Sequence, residues 1–78
     1  MLENPLHKKT NALIQNIKQV RVKKGITQYE MSCFLCISQN AYFKIEKGIT
    51  KLDIYRLLQI SNILRHDFSQ HLRLNFNE

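Results

Sequence analysis

Apolar residues recur at spacings of three and four along most of the chain, and the breaks between these runs divide it into helical segments. Leu13, Ile14, Ile17 and Val20 form one stripe on a helix expected over 11–24, and Arg21 falls beside that stripe rather than opposite it. Lys23, Lys24 and Gly25 close this helix, with cations at the negative dipole end and a residue that accepts the left-handed conformation. Thr27 and Glu30 form a T-x-x-E capping box that starts a second helix over 28–35, with Met31 and Leu35 inward and small Ser32 where another helix can come close. Ser38 caps a third helix over 39–46, whose inward residues are Tyr42 and Ile45 with Ala41 beside them, and Lys47-Gly48 closes it. A fourth helix is expected over 52–64, with Ile54, Leu57, Leu58, Ser61 and Leu64 on its inner face, and Asp67 caps a last short helix through Phe68 and Leu72.

The ends are less regular. Residues 1–10 hold the only proline, Pro5, and read as a flexible lead, either a frayed terminus or a basic arm laid across a phosphate backbone. In the tail, 73–78, apolar Leu72, Leu74 and Phe76 alternate with Arg73, Asn75 and Asn77, which fits a short strand or a trailing helix end. A strand there needs a copy of itself, so the tail is a candidate dimer contact.

Composition narrows the function. Seventy-eight residues, 44% of them hydrophobic, make one domain with one core. Such a chain buries only about 60–65% of its unfolded surface and depends on efficient packing or a partner. Lys and Arg outnumber Asp and Glu by 12 to 6, a net charge of +6 that favours a polyanionic partner such as nucleic acid. No apolar run is long enough to span a bilayer and no secretory leader is evident, so a cytoplasmic, nucleoid-associated protein with no membrane partner is expected.

Catalytic chemistry finds no foothold. The chain shows no Ser-His-Asp or Cys-His arrangement, carboxylate pair or glycine-rich phosphate loop, so no enzyme is expected. Cys33 and Cys36 form a C-x-x-C at a helix end, far along the chain from His66 and His71, and read as a chance pair of semi-buried thiols rather than a metal or redox site. No metal or other cofactor is expected. RNA binding fits the charge, but exposed aromatics for base stacking are scarce.

Arg21, Gly25, Thr27-Gln28, Met31-Ser32, Ile37-Ser38-Gln39, Ile45-Glu46-Lys47-Gly48, Leu57, Ile60-Ser61 and Leu64 together resemble the Cro/C1-type helix-turn-helix (Xre) family over about residues 14–72. The resemblance implies an all-α, five-helix, lambda-repressor-like DNA-binding domain, over 11–72, with the helix-turn-helix at helices 2 and 3. It further implies a homodimer that binds operator DNA as a bacterial or phage transcriptional regulator. Ser32 and Ser61 stand where the family often has alanine, and Cys36 where it often has glycine. A non-glycine residue at that turn carries left-handed strain unless the turn takes another form.

Spacing and resemblance together point Ser38, Gln39, Asn40 and Lys44 at base edges in the major groove of double-stranded DNA. Phe43 is expected against a thymine methyl or sugar, or else packed on helix 2. Gln28, Lys47, Thr50 and Lys51 are expected at phosphates, with Gln28 also bracing Gln39 as its family counterpart does. Arg21 and Glu46 resemble the family's internal ion pair. The expected site is a palindromic operator. The competing expectation is an antitoxin-like or adaptor protein whose main role is to hold a partner protein, a reading kept open by Phe34 and the tail.

Overall fold

A computed structural model describes residues 5–73. Its elements are α1 (Pro5–Lys23), α2 (Gln28–Leu35), α3 (Gln39–Glu46), α4 (Ile54–Leu64) and a single 3-10 turn over Ser69–Leu72. The described residues are thus all-α, with four α-helices and no strand. Where a fifth helix is expected, Asp67 Oδ1 accepts from Ser69 N–H at 2.8 Å and starts only the 3-10 turn. Leu74 and Phe76 of the alternating tail lie outside the described residues.

All four α-helices stop in the same way. Gly25, Cys36, Gly48 and Arg65 have φ of 74°, 59°, 75° and 50°, the left-handed region. The next residue's N–H then reaches back five residues: Ile26 to Arg21 O, Ile37 to Ser32 O, Ile49 to Lys44 O and His66 to Ser61 O, at 2.9–3.1 Å. This is the Schellman closure, which satisfies carbonyls that the last turn leaves open. Cys36 and Arg65 adopt it without the freedom of glycine, at a cost of about 1–2 kcal/mol each.

The starts of α2, α3 and α4 are capped by side chains. Thr27 Oγ1 accepts from Glu30 N–H at 3.0 Å while Glu30 Oε1 accepts from Thr27 N–H at 2.9 Å, completing the capping box. Ser38 Oγ accepts from Ala41 N–H at 3.0 Å, and Asp53 Oδ1 from Arg56 N–H at 2.7 Å. The Asp53 cap starts α4 at Ile54, two residues after the periodicity places it.

The first helix departs most from the sequence reading. It is already helical from Pro5 onward, so residues 6–10, expected in a flexible lead, are helical. Thr10 Oγ1 donates to Leu6 O at 2.8 Å inside this extension.

Leu13, Ile17 and Val20 of α1, Met31 and Leu35 of α2, Tyr42 and Ile45 of α3, Leu57, Ile60 and Leu64 of α4, and Phe68 form the core. The inner face of α4 differs from the expected one. Ile60 replaces Ile54 and Leu58, which are 62% and 60% exposed, with Tyr55 beside them at 69%. Apolar residues nearly encircle α4, so periodicity alone cannot choose its inward side. Cys33 and Cys36 are both exposed rather than semi-buried, and neither forms a disulfide.

Candidate nucleic-acid interface

The interface is built on one buried carboxylate. Arg21 and Glu46 are 7% and 6% exposed and meet in a forked pair, Arg21 Nε donating to Glu46 Oε2 at 2.6 Å and Nη2 to Oε1 at 3.1 Å. The Tyr42 hydroxyl donates to Oε2, and Gln28 Nε2 donates to Oε1 at 3.1 Å. Each carboxylate oxygen therefore accepts two hydrogen bonds, which fills its capacity. Arg21 Nη1 donates to Ile26 O at 2.7 Å, so each of the three guanidinium nitrogens makes a hydrogen bond. Among the described residues, no buried side-chain nitrogen or oxygen lacks a partner.

The network shifts its members' protonation. Burial opposes charge on both Arg21 and Glu46, but their mutual hydrogen bonds outweigh it, together with those from Tyr42 and Gln28 to Glu46. Arg21 is held above its ordinary range and Glu46 below its own. Burial first, then the hydrogen bond to Glu46, raises the Tyr42 phenol. Desolvating an ion pair is costly, and this pair is tolerable because it is forked, both carboxylate oxygens are filled and every guanidinium nitrogen has a partner.

Four elements meet at that ion pair: α1 through Arg21, the loop after it through Ile26 O on the guanidinium, the start of α2 through Gln28, and α3 through Tyr42 and Glu46. The orientation of α3 is thereby fixed from behind. Its other side faces outward. Ser38, Gln39, Asn40, Phe43 and Lys44 are all exposed, as are Lys47, Thr50 and Lys51, while Gln28 is half-buried. Among the described residues, the side chains of Gln39, Asn40 and Lys44 have no hydrogen-bond or ion-pair partner. The Ser38 hydroxyl accepts the cap bond and can still donate outward.

Gln28, Gln39, Asn40 and Phe43 line one open depression where the two helices begin. Gln28 reaches its rim, and its Nε2 donates to Glu46, whereas the resemblance assigns it a brace on Gln39. The ammonium of Lys47 lies 5.6 Å from the centre of the Phe43 ring, within cation–π reach. The part of Tyr42 in the buried network is absent from the sequence reading, although Tyr42 and Glu46, four apart on α3, are neighbours on one helical face.

A helix-turn-helix family model matches residues 17–68, more than half of the chain. The chain belongs to the Cro/C1-type helix-turn-helix family. In this Cro/C1-type domain the two short helices are α2 and α3 and the turn is Cys36–Ser38. The chain is also 38% identical over 50 residues to an SPbeta prophage-derived uncharacterized HTH-type transcriptional regulator, YonR, of Bacillus subtilis (strain 168). That match covers 64% of this chain and 46% of the relative, so the chain spans less than half of the relative's length. No solved structure matches the chain at a significant level. Among the described residues, no helix is long and apolar enough to cross a membrane, and no three His, Cys, Asp or Glu residues cluster to hold a metal ion.

Proposed function

We propose that the chain binds double-stranded DNA sequence-specifically as a small transcriptional regulator, with α3 in the major groove. The observation that carries this reading is the row of unpartnered polar side chains on α3, Gln39, Asn40 and Lys44, held outward by a buried ion pair behind them. Gln and Asn can pair bidentately with adenine and Lys can donate to guanine, each good bidentate contact being worth ~1–3 kcal/mol of discrimination. Ser38 donates alongside them, and Phe43, half-open at the same rim, meets a thymine methyl. Gln28, Lys47, Thr50 and Lys51 hold phosphates, setting register without reading sequence.

Two copies act together on a palindromic operator. The support is the outer face of α4, where Ile54, Tyr55 and Leu58, at adjacent helical positions, are exposed among the described residues. In vitro selection from random duplexes with the purified protein tests the whole reading. Enrichment of a palindrome gives the site, and its half-site spacing gives the dimer geometry. Failure to enrich any motif at low salt overturns it in favour of a protein-holding role.

A further inference from the structure

The extension of α1 creates a second feature beside the recognition helix. His7, Thr10, Asn11 and Ile14 lie at helical spacings of three and four, so they form one stripe. Ile14 is its buried end. Where the stripe leaves the core it becomes polar, and it faces the loop between α3 and α4. The two sides enclose a cleft lined by His7, Thr10, Asn11, Gly48, Thr50 and Lys51, with Ile14 and Leu52 as its floor. A side chain on Gly48 would lie 3.9 Å from Asn11 Oδ1, so the two walls are within van der Waals reach.

The lining chemistry is one-sided. An imidazole, an amide, two hydroxyls and an ammonium converge, and no carboxylate lines the cleft. Among the described residues, the side chains of His7, Asn11 and Lys51 have no hydrogen-bond or ion-pair partner. Asp53, the nearest acidic residue along the chain to Lys51, is committed to the cap of α4. The Thr10 hydroxyl donates to Leu6 O and so is left as a neutral wall. Donors in excess of acceptors, open to solvent and beside the end of α3, suit a tetrahedral oxyanion.

We propose that this cleft is a phosphate cradle in which His7 and Asn11 of α1 join Thr50 and Lys51 in holding one backbone phosphate of bound duplex DNA. The inference rests on the DNA-binding reading above and extends it to α1. It makes the first helix part of the binding surface: the phosphate is gripped from two elements at once, which fixes the distance between α1 and the backbone. Because the contact is to phosphate, it adds affinity on every sequence and no discrimination.

Asn11→Asp tests it. Asn11 is exposed and outside the core, and a thermal melt checks that the variant folds. The new carboxylate repels the phosphate and neutralises Lys51. Affinity for a mixed-sequence duplex should therefore fall about tenfold, a typical cost for one like-charge contact near a surface. The slope of log K against log salt should shrink by ~1, the share of one lost phosphate contact. Adding Lys51→Ala should then cost less than it does alone, because both act on one phosphate. His7→Glu, one turn away, should repeat the pattern. Wild-type affinity and slope in both variants, on a duplex the wild type binds, overturn the cradle and leave the DNA-binding reading standing. A wild type that binds no duplex at low salt overturns both.

Discussion

Gln28 Nε2 donates to Glu46 Oε1 at 3.1 Å, tying the first residue of α2 to the last residue of α3. The residue at the rim of the candidate interface is therefore part of the buried network that orients α3. Gln28→Ala should lower stability by about 1 kcal/mol through the lost hydrogen bond and weaken DNA binding as well. Chemical denaturation together with duplex titration measures the two losses in one variant. A loss of binding with wild-type stability would separate the roles that the geometry joins.

Breaking the ion pair should be severe. Glu46→Gln leaves the Arg21 guanidinium buried without its counter-charge, and removing one partner of such a pair costs ~3–5 kcal/mol. For a domain of this size that lowers Tm by roughly 4–8 °C per kcal/mol. Replacing both partners, Arg21→Met with Glu46→Leu, should cost less than Glu46→Gln alone, because no charge is stranded. Thermal melts of the three proteins check the order.

Stability should be flat near neutrality and fall at both extremes. The Glu46 carboxyl is held below its ordinary 4.5, so its contribution is complete above that value and is lost as pH falls through the folded-state value. The Tyr42 phenol is held above its ordinary 10.0, so its contribution is complete below that value and is lost as pH rises beyond it. Urea midpoints measured across pH should show both limbs. Tyr42→Phe should flatten the alkaline limb, and should cost about 1–2 kcal/mol at neutral pH by leaving one acceptor position of Glu46 empty.

The turn residue should be improvable. Cys36 holds φ of 59° with a side chain, and Cys36→Gly removes the steric penalty while raising the entropy of the unfolded chain. The balance should favour glycine by about 1 kcal/mol, since left-handed strain runs to ~1–2 kcal/mol. Cys36→Val, branched at Cβ, should destabilise. Denaturation midpoints of the pair decide the sign.

On DNA, two classes of side chain should separate. Asn40→Ala should cost ~1–3 kcal/mol on the selected site and little on mixed sequence, because base contacts carry the discrimination. Lys51→Ala should weaken both alike and flatten the salt slope by ~1. Titrations of both duplexes over a range of salt distinguish the classes. For the paired state, Leu58→Lys should shift sedimentation toward the monomer by putting a charge in the apolar face of α4.

The helix-turn-helix was legible in the chain because its signals are local. Thr27 with Glu30 starts α2 and Ser38 starts α3, each through bonds spanning three residues. Spacing alone also assigns Met31, Leu35, Tyr42 and Ile45 to the core. These depend on neighbours in sequence, which a pattern can report. The Arg21–Glu46 pairing entered through resemblance, because residues 25 apart leave no periodic trace of their meeting.

Tertiary structure decided what local signals leave open. The helical course of residues 6–10, expected as a flexible lead, brought His7 beside Thr50 and Lys51. The choice of Ile60 over Ile54 and Leu58 was made by the neighbours that α4 packs against, since its apolar residues point almost all round. The attachment of Gln28 to Glu46 was settled by the angle between α2 and α3. Local sequence sets where helices begin and end. Which of two plausible partners a side chain meets depends on how those helices cross, and that follows from burying the most apolar surface while leaving no buried charge unmatched.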